Sequence, residues 1–260
     1  MVDEARTTSD NDSTLESTCP IDIQSSTTMT SEQPKPRLWV LPVGLFPRRV
    51  TIYLEEKGIA DRFDIVPVNI TESGMEQAEG KPPGTLPILE IKRATDNEPG
   101  HFIFQSTAIL EYLEDVYASE GQDMRGSTPA KRARVRECMD MVNELTTWTV
   151  LYVQNASSLY GALREQRKEA AAEGLERAHK ALNVLESLAD SEGPFLVGKT
   201  PTTADCALMA LIQFSRQIYH VDWTAQHRRF GKVVDAFDAR GTARFPELPA
   251  VLQNVTMTLT

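Results

Sequence analysis

Apolar and polar residues alternate with two different rhythms along this chain, and the rhythm changes just after Tyr117. Before that point apolar residues come in short runs broken by Gly and Pro, as in a sheet; after it they recur at three- and four-residue steps, as in helices. "RLWVL", Arg37 to Leu41, predicts a short buried strand, and Pro42 to Phe46 a loop. Pro47 is expected to open a helix that runs to Lys57, because proline is tolerated in a first turn. Val50, Tyr53 and Leu54 give that helix an apolar face, and Gly58 stops it. Phe63 to Val68 alternates like a strand, and Pro67 removes a ladder donor, which places it at a sheet edge. Asn69 to Gly84 carries a weak helical signal broken by Gly and Pro, so a poorly formed helix is expected there. "LPILEIK" and "HFIF" read as two strands, and their polar connection "RATDNEPG" predicts an antiparallel pair.

The stretch "FQSTAILEYL" then returns to helical spacing, with Ile109, Leu110, Leu113, Val116 and Tyr117 opposite Glu111, Glu114 and Asp115. Ser106 at its front either caps the helix or helps the exposed N–H groups there to hold an anion. Beyond the polar linker "ASEGQDMRG", Thr128 is the expected N-cap of a long helix with Pro129 at its first position and a stripe of Val135, Met139, Val142 and Leu145. A second long helix is expected from about Arg164 to Ala189, and a third from Thr203, where Thr202 and Asp205 form a capping box. The plan is therefore an unstructured leader over 1–36, an α/β domain over 37–118, a linker over 119–127 and an all-helical domain over 128–260.

Composition narrows the partners. The chain has 260 residues, 41% hydrophobic and 25% charged, which suits a soluble globular protein. A formal net charge of −10 argues against a nucleic-acid surface, and the short basic groups "KRARVR" and "HRRF" sit in helical contexts that favour solvated faces. No apolar run approaches the roughly 18 residues of a membrane span, and the leader lacks the apolar core of a signal peptide. Cys19, Cys138 and Cys206 have no paired spacing, so neither a disulfide framework nor a metal site is expected, and the protein is placed in the cytoplasm.

No nucleophile motif, metal spacing or phosphate loop occurs, and His101, His179, His220 and His227 are scattered. The informative element is "GTLPILE". Pro87 opens an apolar strand, which sterics alone permit. The sharper reading is a cis Leu86–Pro87 bond, which turns the backbone N–H and C=O of Leu86 outward to pair with an extended peptide. Gln105 and Ser106 follow at a helix N-terminus. Such a surface suits a small peptide with a terminal carboxylate.

"GTLPILE", "FQSTAILEYLEDVY" and "GPFLVGKTPTTADCALMALIQF", with "VTIYLEEKGI" and "FPELPAV", resemble the signature regions of the cytosolic glutathione transferases, in order, from Arg37 onward. The resemblance implies a thioredoxin-like α/β N-terminal domain followed by an all-α domain, and a homodimer with Pro83 to Glu114 near its interface. It implies that Gln105 and Ser106 bind the γ-glutamyl end of glutathione, that Leu86 and a cis Pro87 fix its cysteinyl backbone, and that Thr85 lies adjacent.

One feature departs from the family. Its members activate the thiol with a Ser, Tyr or Cys in the loop after the first strand, yet here the loop is "PVGLFPRRV" and that position falls on Gly44. Activation is then expected from the helix dipole, backbone N–H groups near Leu45 and the cations Arg48 or Arg49. Both arginines equally suit a solvated first turn. A side chain such as Tyr152 or Tyr160 reaching in from the helical domain is a second route, and glutathione binding without efficient conjugation a third. Trp148, Tyr152, Tyr160, Phe214 and Trp223 are candidates for an apolar second-substrate pocket. The functions that follow are conjugation of glutathione to a small apolar electrophile, glutathione-dependent double-bond isomerisation, or a non-catalytic binding or regulatory module. No metal cofactor, nucleic acid or membrane span is expected.

Overall fold

A computed structural model describes residues 35–91 and 101–258. Residues 1–34 of the expected leader and the connection "RATDNEPG" lie outside the described residues. Strand β1 (Arg37–Val40) leads into helix α1 (Leu45–Lys57), which returns to strand β2 (Asp64–Pro67). Strands β5 (Ile88–Ile91) and β6 (His101–Phe104) follow a small hairpin, β3 (Ile70–Thr71) with β4 (Gly74–Met75), and precede helix α2 (Ser106–Val116). The four-stranded sheet has the order β2-β1-β5-β6, with β1 parallel to β2 and antiparallel to β5, and β5 antiparallel to β6. β2 is an edge strand, the position in which Pro67 costs no ladder bond.

The second half consists of α3 (Pro129–Ala156), the single turn α4 (Ser158–Gly161), α5 (Lys168–Leu188), α6 (Thr203–Tyr219) and α7 (Arg228–Arg240). Thr128 caps α3 by accepting the Lys131 N–H at 3.2 Å. Asp205 accepts the Thr202 N–H at 2.9 Å and the Leu196 N–H at 2.7 Å, so one buried carboxylate holds both the start of α6 and the loop before it. Val135, Met139, Val142 and Leu145 are buried in a core that runs continuously from α1 and α2 into α3, α5 and α6. α3 and α5 approach closely at Gly174, where a Cβ would lie 2.8 Å from the Tyr152 backbone nitrogen and 3.1 Å from the Trp148 carbonyl oxygen. Gly174→Ala is therefore expected to destabilise the fold by about 1–3 kcal/mol through overpacking, read as a lower urea midpoint at constant m-value; an unchanged midpoint would show that the two helices separate at no cost.

Buried charges tie the linker down. The Lys57 ammonium lies 2.8 Å from the Glu114 carboxylate, with both side chains sealed from solvent. The Tyr53 hydroxyl donates to the same carboxylate at 2.7 Å, the Met124 N–H at 3.1 Å, and Lys57 also reaches the Gln122 carbonyl at 3.0 Å. The ends of α1 and α2 and the chain that leaves them are thus fastened together.

Several boundaries differ from the sequence reading. Asn69 to Gly84 holds no helix; it folds as the β3–β4 hairpin and a loop. Gly74 turns there at a φ of 105°, and the Thr71 hydroxyl bonds the Gly74 carbonyl at 3.2 Å, so short polar side chains satisfy a turn in place of helix bonds. α1 starts at Leu45, which puts Pro47 at the third helical position. α5 starts at Lys168 and not near Arg164. The Gln166 amide donates to the Ser157 carbonyl at 2.8 Å and the Arg167 N–H to Asn155 at 3.1 Å, which holds the preceding residues against the end of α3. α7 is an addition; Phe230, Val233, Val234 and Phe237 bury its apolar face.

Candidate functional site

Register brings the sequence-predicted residues to one place. Trp39 pairs with Ile88, and Ile88 with Phe104. The loop that leaves β1, the Leu86–Pro87 pair that enters β5 and the Gln105–Ser106 pair that leaves β6 therefore share one end of three adjacent strands. The Leu86–Pro87 bond is cis. Thr85 is exposed, Leu86 half-buried and Pro87 buried. Leu86 takes no part in the β5 ladders, which leaves its main-chain groups available beside the helix ends.

Gln105 is exposed and has a φ of 70°, an uncommon and costly value for a residue with a side chain. It occupies the N-cap of α2 but makes no capping bond with its side chain. Ser106 is the first helical residue and is buried at 4% exposure. The capping role considered for Ser106 is not what the structure shows; the left-handed turn at Gln105 moves the cap back by one residue. The first N–H groups of α2 are left without an intrahelical partner.

α1 presents a second open helix end. Gly44 is its N-cap, donating its own N–H to the Leu41 carbonyl at 2.8 Å, and no side chain caps the helix. Pro47 has no N–H, and the Arg48 N–H is already taken by the Gly44 carbonyl at 3.0 Å. The N–H groups of Leu45 and Phe46 are thus the free donors at this end. No acidic residue stands in the first turn. A Cβ on Gly44 would meet the Leu41 carbonyl oxygen at 3.1 Å and the Pro47 ring at 3.2 Å, so the missing side chain leaves a tight corner.

Arg48 and Arg49 are not solvated first-turn residues. They are 6% and 1% exposed, because α3 and α6 cover this part of α1. Arg48 donates to the Gln213 side chain at 2.8 Å and to the Ala243 carbonyl at 3.0 Å. Arg49 donates to Asn143 at 2.6 Å and Thr146 at 2.8 Å, stacks on the Phe46 ring, and leaves its Nε without a partner. Among the described residues neither guanidinium has a carboxylate within ion-pair distance. Burial lowers both from the usual arginine value to about 10, so both remain charged at neutral pH. Two buried positive charges without an ion-pair partner therefore belong to the first turns of α1, Arg48 feeling only the more distant charge of Glu55. Gln213, Asn143 and Thr146 were missed in the sequence; a polar Gln213 within the apolar run "ALMALIQF" was the available signal.

The five aromatic candidates do not converge. Tyr160 and Phe214 do meet, through Tyr219: the Phe214 and Tyr219 rings lie 5.2 Å apart, and Tyr160 hydrogen-bonds the buried Tyr219 phenol, which burial and that bond shift upward. Tyr152 is buried at 7% exposure on the part of α3 that faces α5. Trp148 is half-buried at the edge of the core, stacked under the Arg177 guanidinium at 4.7 Å with its N–H toward Glu144. Trp223 is core, donating to Ser215 at 2.9 Å and edge-on to His179. Cys138 is pushed up to about 12 by burial and Cys206 well above its ordinary value, so neither supplies a thiolate. Among the described residues no group of acidic, histidine and cysteine side chains could hold a metal ion, and no helix is long and apolar enough to cross a membrane.

Comparison with known proteins agrees with this architecture. Residues 44–116 match the glutathione S-transferase N-terminal domain and residues 168–236 the C-terminal domain. The chain is 30% identical over 182 residues to a probable maleylacetoacetate isomerase 2 of Drosophila melanogaster, covering 67% of this chain and 71% of that protein. It is 31% identical over 105 residues to glutathione S-transferase F9 of Arabidopsis thaliana, covering 39% of this chain and 44% of that protein. A crystal structure of maleylacetoacetate isomerase from Anaeromyxobacter dehalogenans, with dicarboxyethyl glutathione and citrate bound in its active site, superposes with a TM-score of 0.60 at 26% identity over 83% of this chain and 94% of that one. With a thioredoxin-like sheet, an all-helical second half and both family domains in order, this chain belongs to the glutathione S-transferase family.

Proposed function

We propose that the protein is a glutathione-dependent enzyme that brings the glutathione thiol to a small apolar electrophile. What carries this reading is the placement of Leu86–Pro87, Gln105–Ser106 and the open end of α1 at one end of the sheet. The main-chain groups of Leu86 pair with the cysteinyl backbone, with Thr85 alongside. Gln105, Ser106 and the free N–H groups of α2 hold the γ-glutamyl carboxylate. The thiol then points at Gly44 and Leu45. A thiol of reference pKa about 8.5 is mostly protonated at neutral pH, and the loop after β1 holds no hydroxyl or thiol to activate it. The N–H groups of Leu45 and Phe46 and the field of Arg48 and Arg49 take that role, since helix N-termini and nearby cations lower thiol pKa values. Tyr160 and Phe214 form the apolar side of the second-substrate pocket. A homodimer in the cytoplasm belongs to the same reading, and sedimentation tests its assembly.

Isomerisation is the second reading, favoured by the maleylacetoacetate isomerases among the relatives. In that reaction the thiolate adds to a conjugated double bond, the bond rotates and the thiolate leaves, so glutathione is not consumed. Retention on immobilised glutathione, followed by turnover of an aryl halide, separates the outcomes. Retention with turnover supports conjugation; retention alone leaves isomerisation or a binding module. Absence of retention and of any thermal shift removes glutathione altogether.

Gly44→Ser tests where the thiol lies. The N-cap gain of a few tenths of a kcal/mol over glycine offsets the crowding at Leu41, so stability is expected to hold. Turnover is expected to rise and its pH profile to move toward lower pH. Unchanged turnover and profile in a stable variant would place the sulfur elsewhere.

A further inference from the structure

We propose that a cavity between α2, the linker and α3 binds a small carboxylate with a short apolar chain. The cavity measures about 90 Å³. Leu86, Gln105 and Ser106 do not line it, so it is separate from the site proposed for glutathione and its occupation requires no glutathione.

Helical spacing makes the cavity. Thr107, Leu110 and Glu111 of α2 stand at three- and four-residue steps, and so do Arg132, Val135, Arg136 and Met139 of α3, so each helix turns one side toward the gap. The basic residues of "KRARVR" therefore divide. Arg134 pairs with Glu137 at 2.9 Å, whereas Arg132 and Arg136 line the cavity. The motif is thus not wholly the solvated face that its helical context suggests.

The floor is apolar, formed by the buried Leu110, Val135 and Met139. Around it stand three guanidinium groups and one carboxylate. Glu111 accepts from Arg136 at 2.7 Å and lies 3.8 Å from Arg125. Asp115 binds Arg125 from outside the cavity. Arg132 is left over. Among the described residues no carboxylate lies within ion-pair distance of it, and its guanidinium bonds only the Gly126 carbonyl, at 3.3 Å. A guanidinium carries five N–H donors, so most of this fork is open to a ligand. The linker holds its shape here because Asp123 accepts the Arg125 N–H at 2.9 Å and the Gly126 N–H at 3.0 Å. The Thr107 and Thr203 hydroxyls, also on the cavity wall, make no hydrogen bond among the described residues.

A carboxylate on Arg132 with its chain over Leu110, Val135 and Met139 satisfies the spare charge and the apolar floor together. The cavity is smaller than the roughly 150 Å³ that holds benzene, which limits the chain to about four carbons.

Butyrate is the probe, titrated into the full chain at constant ionic strength and followed by amide NMR. The amides of Thr107, Glu111, Arg132 and Thr203 should shift together and saturate. n-Butanol keeps the chain but not the charge and should bind at least about tenfold more weakly. Acetate, two methylenes shorter, should also bind about tenfold more weakly. Arg132→Gln should weaken butyrate binding by about tenfold or more, with an unchanged melting temperature because Arg132 is exposed. Arg132→Lys keeps the charge and should recover part of the loss. The proposal is overturned by the absence of a saturable shift, by an equal response to butyrate and n-butanol, or by unaltered butyrate binding in Arg132→Gln. It is also overturned if the unaltered chain ignores butyrate and Arg132→Gln loses self-association, which would give the cavity to an acidic side chain of a second copy.

Discussion

Glu114→Ala is expected to lower the unfolding free energy by about 3–5 kcal/mol, the cost of stripping the partner from a buried ion. The carboxylate is the hub of a sealed site: Lys57 at 2.8 Å, the Tyr53 hydroxyl at 2.7 Å and the Met124 N–H at 3.1 Å all converge on it. Its loss leaves the Lys57 ammonium with the Gln122 carbonyl as its remaining bond and orphans a buried phenol. Glutathione contacts none of these groups in the reading above, so the loss belongs to folding. Glu114→Gln keeps much of the hydrogen bonding but not the charge and should fall between the two. Replacing Lys57 and Glu114 together with Met and Leu should recover most of the loss, because an apolar pair leaves no unpaired charge behind. Urea midpoints at constant m-value decide it; a cost below about 1 kcal/mol, the range of exposed pairs, would mean that water reaches the site.

Ser106→Ala is expected to weaken glutathione binding by about 10- to 100-fold, the equivalent of one hydrogen bond to a charged group at about 1.5–3 kcal/mol. Stability should move much less. Ser106 is the first residue inside α2 and the N-cap is Gln105, so the mutation deletes no capping bond. Titration calorimetry against urea denaturation separates the two effects. A shift in stability with unchanged affinity would return Ser106 to a purely structural role and dismantle the site at the end of α2.

Much of the first half was legible because its signals are local. Pro67 marked an edge strand, Gly58 a helix end, and "GTLPILE" followed by "FQST" marked a bend and an open helix end. Asn69 to Gly84 was misread because two-residue strands are too short to show a period, and the turn there is set by Gly74 and the Thr71 hydroxyl. The long stripe on α3 was visible for the opposite reason: it spans several turns, so chance spacing is averaged out.

The arginines show where local reading ends. Arg48 and Arg49 look like surface residues at a helix start, and nothing in nearby sequence contradicts that. Their partners Gln213, Ala243, Asn143 and Thr146 lie about a hundred or more residues away, so burial was decided only when α3 and α6 closed over α1. The five aromatics show the same limit, since spacing gives the face of a helix but not what covers it; Tyr160 and Phe214 meet through Tyr219, whereas Trp148 faces Arg177 and Trp223 faces His179.

The sequence by itself determined the strands β1, β2, β5 and β6 and the long helices α1, α2, α3 and α6, the absence of a hydroxyl at Gly44 and the residues at the front of α2, because backbone preference and hydrophobic period act between near neighbours. Tertiary structure alone decided that two guanidinium groups are buried without an ion-pair partner, that Glu114 seals the linker, and that the chain around Thr256 and Thr258 returns across the fold to α3. Those outcomes depend on which surfaces exclude water from one another, and that is a property of the packed chain and not of any stretch of it.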